Sequence, residues 1–318
     1  MYCSNRYRKQ PCRPDFGAMA GQRISRHPMW QQRGFTLIEM VVVIVLTGIL
    51  AGVLSQFISR PVEAYVAQSR RGELVDIAGM ALDKMASELR KALPNSIRVG
   101  CGGRCVEFLH QIAGGRYRAQ SPGDALSFNP ADADNAFEVL GGLNPSHPIV
   151  AGAGANDCRS GKAACVVIYN TGYAGTDAYH GDNMATVTAL GGTPLTLQFN
   201  NQGFSNGLRA FPAASPEQRF FIIDTPVTYL CDPVQGTVRR YSGYTIRASH
   251  SAVDSHAELV GQANPAEWSL LADHVQRCGF TYQPATPQRN GLVTLQLEVA
   301  ERGEQVTLLQ QAHVSNMP

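Results

Sequence analysis

The hydrophobic pattern of the chain begins with a long apolar run near the N-terminus. Residues 40–59 contain no charged side chain, and the first part of this run is apolar on every side. A helix of about 20 residues spans roughly 30 Å, the thickness of a bilayer core. The run therefore predicts that residues 35–59 form a membrane-spanning helix. Within it, Gly48 and Gly52 form a Gly-x-x-x-Gly pair, which either lets two helices approach closely or is simply tolerated in a membrane helix.

A second pattern follows Pro61, where apolar residues recur at steps of three and four. This spacing is typical of an amphipathic helix with one face against a folded domain. The apolar stripe consists of Leu74, Ile77, Ala78, Ala81, Leu82, Met85 and Leu89. The charged residues that lie largely off the stripe are Glu73, Asp76, Asp83, Lys84, Glu88 and Arg90. Because Pro61 kinks a helix and Pro94 stops one, the sequence predicts one kinked helix from about Thr36 to Leu93, with residues 60–94 as its amphipathic half.

From residue 95 onward the hydrophobic period shortens to two, and short apolar runs alternate with stretches rich in Gly, Pro, Asn and Asp. At the C-terminal end, two alternating runs flank residues 301–304 and predict a β-hairpin. The other predicted strands are residues 106–109, 165–169, 220–223, 227–231, 238–244 and 275–282. Long surface loops are predicted at residues 119–130, 140–157 and 172–193. Together these patterns predict an α+β fold, in which the long N-terminal helix packs on an antiparallel β-rich globular domain of residues 95–318.

Composition excludes two broad classes of protein. With 44% hydrophobic and 16% charged residues, the 318-residue chain is too apolar to be disordered throughout. Its formal net charge of +2 lacks the basic excess of nucleic-acid-binding proteins, so we expect no nucleic-acid partner.

The charge is concentrated at the N-terminus. Residues 1–34 hold seven basic residues and one acid, a net charge of +6, which leaves 2 − 6 = −4 for the rest. This segment has no apolar periodicity, so we interpret it as a cytoplasmic leader that is removed; the alternative is a basic arm that stays attached. The true start is Met1, Met19 or Met29. Because basic residues precede the apolar run, the positive-inside rule predicts a cytoplasmic N-terminus and an exported C-terminal domain.

The residues just before the apolar run distinguish it from an ordinary secretory signal. The segment Arg33-Gly34-Phe35-Thr36-Leu37-Ile38-Glu39 places a glycine and an acid in front of the helix. A carboxylate at the edge of a membrane helix is costly unless it is paired, and a signal peptide offers no reason for one. The order of leader, glycine, phenylalanine, glutamate and apolar helix resembles the prepilin processing and methylation motif of type IV pilins and type II secretion pseudopilins.

The resemblance implies a processing reaction and a set of partners. In that family a membrane prepilin peptidase cuts after the glycine, which here means between Gly34 and Phe35, and methylates the new N-terminal Phe35. Glu39 then becomes the fifth mature residue and pairs with an α-ammonium group, because an unpaired buried charge is expensive. The alternative is an acid that snorkels at the membrane edge. The implied partners are other major and minor pilins and the inner-membrane assembly platform, and the implied location is the inner membrane, with the C-terminal domain in the periplasm.

Six cysteines remain once the leader is removed, and an even number in an exported domain indicates three disulfides. They are Cys101, Cys105, Cys158, Cys165, Cys231 and Cys278. Six cysteines allow fifteen connectivities. The spacing favours two local pairs, Cys101–Cys105 and Cys158–Cys165. Cys231 is then left for Cys278. A zinc site is the alternative, but the spacings are irregular and an exported domain is oxidised, so we expect no metal.

The chain lacks the sequence patterns of common catalytic sites. Asp132-Ala133-Asp134-Asn135 begins like a calcium loop, but the later ligand positions do not match. His180 and Asp182 suggest an acid–base pair, although no nucleophile motif accompanies them and a polar turn is the simpler interpretation. The sequence contains no Gly-rich phosphate loop. We therefore expect a structural subunit without a cofactor rather than an enzyme.

Three roles remain open. Residues 89–99, 271–275 and 306–318 resemble the minor pilins of the mannose-sensitive haemagglutinin (MSHA) pilus. That resemblance implies a low-abundance subunit that primes or caps the pilus. A J-type pseudopilin of type II secretion has a similar architecture and is the second possibility. The third is a membrane-anchored adhesin that never polymerises.

Overall fold

The computed structural model describes residues 34–141, 143, 157–202, 204, 207–285 and 289–318. The predicted leader up to residue 33, with the alternative starts at Met19 and Met29, lies outside the described residues. Most of the loop predicted at residues 140–157 also lies outside them. The chain divides into two compact units, Met1–Arg60 and Pro61–Pro318.

Helix α1 comprises Leu37–Leu89, and Pro61 lies within it. The sequence predicted that the helix would continue to Leu93, but the structure ends it at Leu89. The reason is competition from a strand. The carbonyl oxygen of Lys91 accepts a hydrogen bond from the amide of Gln111, and the amide of Leu93 donates one to the carbonyl of Leu109. These groups are therefore paired outside the helix, and the amphipathic half is shorter than residues 60–94.

The part of α1 in the second unit buries its apolar stripe. Leu74, Leu82, Met85 and Leu89 are all almost completely inaccessible to solvent. Full burial of such a side chain is worth about 1.5–3 kcal/mol, so the stripe stabilises the packing of α1 strongly. Glu88 is the exception to the predicted pattern: it was placed off the stripe, yet it is buried.

Twelve strands occur in the described part of the chain, and all their pairings are antiparallel. The first six are β1 Arg98–Gly100, β2 Cys105–Tyr117, β3 Ala136–Leu140, β4 Cys165–Ile168, β5 Met184–Gly191 and β6 Thr196–Asn200. The others are β7 Arg219–Asp232, β8 Thr237–Ser242, β9 Glu267–Ala272, β10 Val275–Gln283, β11 Gly291–Glu301 and β12 Glu304–Val314. A short helix, α2 His256–Val260, precedes β9.

Six of these strands form a closed ring. The nine-stranded sheet has the order β1-β2-β3-β6-β5-β4-β7-β8-β9, and β2 also pairs with β7. The sequence β2-β3-β6-β5-β4-β7 therefore returns to β2 and leaves no free edge among these six strands. The interior is aromatic: Phe137 contacts Phe220 and Phe199, with ring centroids 5.1 and 6.1 Å apart. Strands β1, β8 and β9 extend the sheet beyond the ring.

The second sheet contains β10, β11 and β12, and the predicted C-terminal hairpin is confirmed in it. Strands β11 and β12 pair from Gly291↔Val314 to Glu301↔Glu304 around a turn at Arg302 and Gly303. The inner faces of the two sheets and the stripe of α1 share one hydrophobic core. The α+β fold, with an N-terminal apolar helix and an antiparallel β-rich domain, is confirmed.

Several other expectations differ from the structure. The runs at residues 220–223 and 227–231 are one strand, β7, because β2 pairs with both runs, with irregularities in register near Gln111. The prediction of a surface loop at residues 172–193 is wrong for the second half of that range. There the chain forms β5, and the first four residues of β5 are buried. The pattern also failed to predict β1, β3, β6 and β9. These strands are short, and their partners lie far away in the sequence.

Candidate processing and assembly segment

The segment around Glu39 begins with a capped helix end. The amide of Glu39 donates to the Thr36 side-chain oxygen over 3.3 Å and to the Thr36 carbonyl oxygen over 3.1 Å. Thr36 followed three residues later by Glu39 has the spacing of a capping box. Thr36 was not among the predicted site residues, although its Thr-x-x-Glu spacing with Glu39 is visible in the sequence. The cap stops the helix at this point and leaves Gly34 and Phe35 outside it.

The peptide bond between Gly34 and Phe35 lies in exposed, non-helical chain. Phe35 has 78% of its surface exposed, and Gly34 is exposed as well. A Cβ atom added to Gly34 would meet no atom within 4 Å. The chain itself therefore does not require glycine at this position. A requirement for glycine would have to come from a partner that binds the extended backbone closely.

Glu39 lies on the first turn of α1, where a carboxylate is favoured by the partial positive charge of the helix N-terminus. Its side chain is exposed, and no described residue forms an ion pair with it. The structure thus brings Gly34, Phe35 and Glu39 together at one helix end, with Glu39 one turn from the Gly34–Phe35 bond.

Among the described residues, none covers the apolar surface of the first part of α1. Leu37–Ser55 is long and apolar enough to cross a membrane by length and composition, and no residue in it is buried. Its one hydroxyl before Ser55 is satisfied locally, because Thr47 Oγ1 donates to the carbonyl of Val43 over 2.6 Å. Polar groups in hydrocarbon need such partners. A helix that is apolar on every side needs lipid or other helices around it.

Gly48 and Gly52 are not needed for packing within the described chain. A Cβ atom at either position would meet nothing within 4 Å. Their small size therefore serves a contact beyond the described residues, or none at all.

Three disulfides lie in the globular unit, and they join the pairs that the spacing favours. Cys101 is bonded to Cys105, Cys158 to Cys165, and Cys231 to Cys278. The first two each close a short local loop. The third joins β7 of the nine-stranded sheet to β10 of the three-stranded sheet, across a sequence separation of 47. It is therefore the covalent link between the two sheets.

A buried charged cluster holds α1 against the sheet. Glu88 accepts hydrogen bonds from Tyr229 over 2.6 Å and from Arg240 over 2.9 Å, and Lys84 lies 2.8 Å from its other oxygen. Burial by itself raises the pKa of Glu88. The bonds from Lys84, Tyr229 and Arg240 outweigh that effect and lower the pKa to about 2. Glu88 is therefore charged in the folded protein at neutral pH.

A second buried cluster follows the end of α1. Arg98 donates two hydrogen bonds to Glu107, at 2.6 and 3.0 Å, and its guanidinium lies 3.4 Å from the ring centre of Tyr179. Tyr244 donates a third bond to Glu107 over 3.1 Å. Burial raises the pKa of Glu107, and Arg98 opposes that change. These bonds fix the segment between α1 and β2, part of which carries the resemblance to minor pilins.

The residues that could have suggested chemistry have structural contacts instead. Asp134 accepts hydrogen bonds from the amides of Ser127 and Ala136, which shapes its loop. His180 pairs with Asp177 at 2.9 Å, whereas Asp182 accepts a bond from the amide of Gly175. Within the described residues, no group of three or more His, Cys, Asp or Glu side chains is arranged to hold a metal ion.

Comparison with known proteins bears on the N-terminal segment. The family described as the prokaryotic N-terminal methylation motif matches residues 31–55. No curated protein and no solved structure matches the chain. The motif supports a type IV pilin or pseudopilin, a structural class of proteins that prepilin peptidase processes and that assembles with other pilins. One apolar N-terminal helix together with this motif fits a single-pass membrane anchor.

Proposed function

We propose that the chain is the precursor of a minor pilin, cut between Gly34 and Phe35 and methylated on Phe35. The observation that carries the proposal is the position of the methylation motif. It coincides with the cap of an apolar helix that has no buried residue and that leads into a folded β-rich unit. A subunit that is stored in a membrane and later packed into a filament needs this combination. Its role is structural rather than catalytic.

Cleavage explains why an acid stands at position 39. The cut creates an α-ammonium on Phe35, one residue before the cap of α1. The partial positive charge of the helix N-terminus repels that cation. A carboxylate on the first turn offsets the repulsion, either within one chain or between neighbouring subunits. In a low-dielectric filament core, leaving either charge unpaired is costly, so the pair fixes how far each subunit is inserted.

The apolar half of α1 then moves from lipid into a bundle of helices. Lipid tails are as apolar as leucine, so this transfer loses little hydrophobic stabilisation. Packing between helices supplies the drive, and Gly48 and Gly52 let a neighbouring helix approach closely. In this proposal the chain is a single-pass protein of the inner membrane. Its N-terminus is cytoplasmic, its globular unit is periplasmic, and its partners are prepilin peptidase, the other major and minor pilins and the inner-membrane assembly platform.

Within the class, we assign the chain to the minor pilins of an MSHA-type pilus, as an MshO-like subunit that primes or caps the filament. Support comes from residues 89–99, 271–275 and 306–318, which resemble that subunit. A J-type pseudopilin of type II secretion carries the same N-terminal motif and is the alternative. Gene neighbourhood separates the two, since one is encoded beside adhesive-pilus genes and the other beside genes for secretin-dependent export.

The central test is mass spectrometry of the mature N-terminus in the native host. We expect a chain that begins with methylated Phe35. Gly34→Val should leave the precursor uncut, because a side chain would block close approach of the backbone to a peptidase cleft. Gly72→Val, at an exposed glycine of α1 where an added Cβ atom meets nothing within 4 Å, is the matched control and should be processed normally. An intact leader on the wild-type chain would refute the proposal.

Glu39 tests assembly separately from cleavage. Glu39→Gln should be cut and methylated but should not enter sheared pilus fractions. Glu63→Gln removes an exposed acid from the same helix and should assemble normally. If surface display survives both Gly34→Val and Glu39→Gln, the chain is a membrane-anchored adhesin that does not polymerise.

A further inference from the structure

Strand β9 is an open edge of the nine-stranded sheet. It pairs with β8 on one side, and no described strand pairs with its other side. Its first four residues, Glu267 to Leu270, are all exposed. An exposed edge presents unpaired backbone N–H and C=O groups, and proteins usually blunt such edges with lysine, proline or a covering segment. Strand β9 contains neither lysine nor proline.

Two large apolar side chains stand on one face of this edge. Trp268 and Leu270 are two residues apart in the strand, so their side chains lie on the same face. They are 51% and 53% exposed. Trp268 is held in place from two directions. Its ring meets His256 edge-to-face at 5.9 Å, and the guanidinium of Arg239 lies 5.0 Å from its centre. A fixed, half-exposed tryptophan beside a leucine is the kind of anchor that dominates binding energy in protein interfaces.

Arg239 adds a positive charge to the same place, where its guanidinium interacts with the Trp268 ring and the Tyr241 hydroxyl. It lies opposite Leu270 in the register of β8 and β9. No described carboxylate forms an ion pair with it, and its Nε atom is buried without a hydrogen-bond partner. The neighbouring Arg240 differs, because it pairs with Glu88. The Arg239 side chain as a whole is partly exposed, so a carboxylate arriving beside the edge would form charge-assisted hydrogen bonds with its guanidinium.

We propose that β9 is the docking edge for an extended segment of another protein, which adds to the sheet as a further strand. The edge selects an extended backbone, Trp268 and Leu270 select apolar side chains at alternate positions, and Arg239 selects a carboxylate. The occupant is therefore an acidic, amphipathic strand.

The other edges of a second copy of this chain fit β9 poorly. The three-stranded sheet has two long edges, β10 and β12: β10 contains no acid, and β12 carries one acid, Glu304, at its first position. The exposed positions that follow are Gln305, Thr307, Leu309, Gln311 and His313. No carboxylate alternates with the apolar Leu309 there. The short edge β1, Arg98–Gly100, contains no acid.

Site-specific photo-cross-linking in the native host tests the proposal on the full-length chain. A benzophenone amino acid replaces Leu270, and the matched control places it at Leu309, which is 61% exposed on the edge of the other sheet. We expect light-dependent capture of a different protein from position 270 but not from position 309. The captured peptide should be an extended segment in which Asp or Glu alternates with apolar residues.

Variants of Arg239 and Trp268 test whether the charge and the aromatic anchor are responsible for capture. Arg239→Glu should abolish capture, and Arg239→Lys should retain part of it. A synthetic peptide of the captured segment should bind the purified chain, and Trp268→Ala should weaken that binding by roughly 30-fold. Intact disulfides, verified by mass spectrometry, show that each variant is folded.

Three results would overturn the proposal: no capture from position 270, capture of a second copy of this chain, or capture that Arg239→Glu leaves unchanged. The inference stands apart from the proposed function. The N-terminal mass reports processing of Gly34 and Phe35, whereas the cross-link reports the edge of β9, so either can fail alone.

Discussion

The Tyr229 hydroxyl donates a hydrogen bond of 2.6 Å to Glu88 Oε2, and this bond joins helix α1 to strand β7. Arg240, on β8, donates to the same oxygen over 2.9 Å. Glu88 therefore connects one helix to two strands through a single buried carboxylate. Because its pKa is lowered to about 2, the cluster makes stability depend on pH.

We predict acid destabilisation that depends on Glu88. A carboxyl with a depressed folded pKa contributes stability that is complete above its unfolded value of 4.5 and is lost as the pH falls towards 2. That difference corresponds to about 3 kcal/mol. The free energy of unfolding should therefore fall between pH 4.5 and pH 2. It is measured through tryptophan fluorescence in a urea titration of the detergent-solubilised chain without residues 1–34, in which Trp268 is the one tryptophan.

The comparison variant is Glu88→Gln. It should be less stable than the wild type at pH 7 by roughly 3 kcal/mol, because the partly buried Arg240 loses its carboxylate partner, although it keeps its bond to Ser242. The gap between the two proteins should narrow as the pH falls through this range. A gap that is constant from pH 7 to pH 2 would show that Glu88 is not the group responsible.

The disulfides should differ in how much they stabilise the fold. Chain-entropy arguments assign about 4 kcal/mol to Cys231–Cys278, with its separation of 47, and about 2 kcal/mol to Cys101–Cys105, with its separation of 4. Replacing both cysteines of a pair by serine should therefore cost roughly twice as much for the pair that joins the two sheets. Equal shifts in the urea midpoint would argue against this order.

Gly161 should tolerate alanine much less well than Gly243. Both have a φ of 76°, so both substitutions strain the backbone in the same way. The two positions differ in the room available for an added Cβ atom. A Cβ atom at Gly161 would lie 2.3 Å from the backbone oxygen of Tyr244, whereas one at Gly243 would meet nothing within 4 Å. We expect Gly161→Ala to cost at least about 2 kcal/mol more than Gly243→Ala in thermal or urea unfolding.

The cap of α1 can be tested at the residue it protects. Thr36→Ala should remove the side-chain acceptor for the Glu39 amide at a cost of about 1 kcal/mol. Exchange of that amide with solvent, followed by NMR in detergent micelles, should accelerate about fivefold. Thr36→Ser keeps the acceptor and is the control. Unchanged exchange in Thr36→Ala would mean that the backbone bond to Thr36 alone holds the helix end.

Local patterns in the sequence predicted much of the molecule. The apolar run predicted the part of α1 that is long and apolar enough to span a membrane, and the three- and four-residue spacing predicted the buried stripe of α1. The alternation after residue 291 predicted the hairpin of β11 and β12. Each pattern needs only neighbours along the chain. The motif at Gly34, Phe35 and Glu39 is equally local, which is why the candidate segment could be found without a structure.

Other features depend on residues that are distant in sequence. Glu88 lies off the apolar stripe of α1, so the sequence pattern does not predict its burial. It is buried because Tyr229 and Arg240, which are 141 and 152 residues away in the sequence, donate hydrogen bonds to it. Strand β5 was predicted as loop because its alternation is weak, and it forms because β4 and β6 supply its hydrogen bonds. A pattern within a short window carries no information about such partners.

The sequence alone was therefore enough to predict the N-terminal motif, the long helix and the alternation of the last strands, and it favoured one pairing of the six cysteines among fifteen. The structure was needed to show that six strands close into a ring, that α1 ends at Leu89 rather than Leu93, and that β9 is an open edge beside Arg239. Helix period and turn chemistry are set within a few residues, whereas strand register, buried charge and free edges depend on the whole fold.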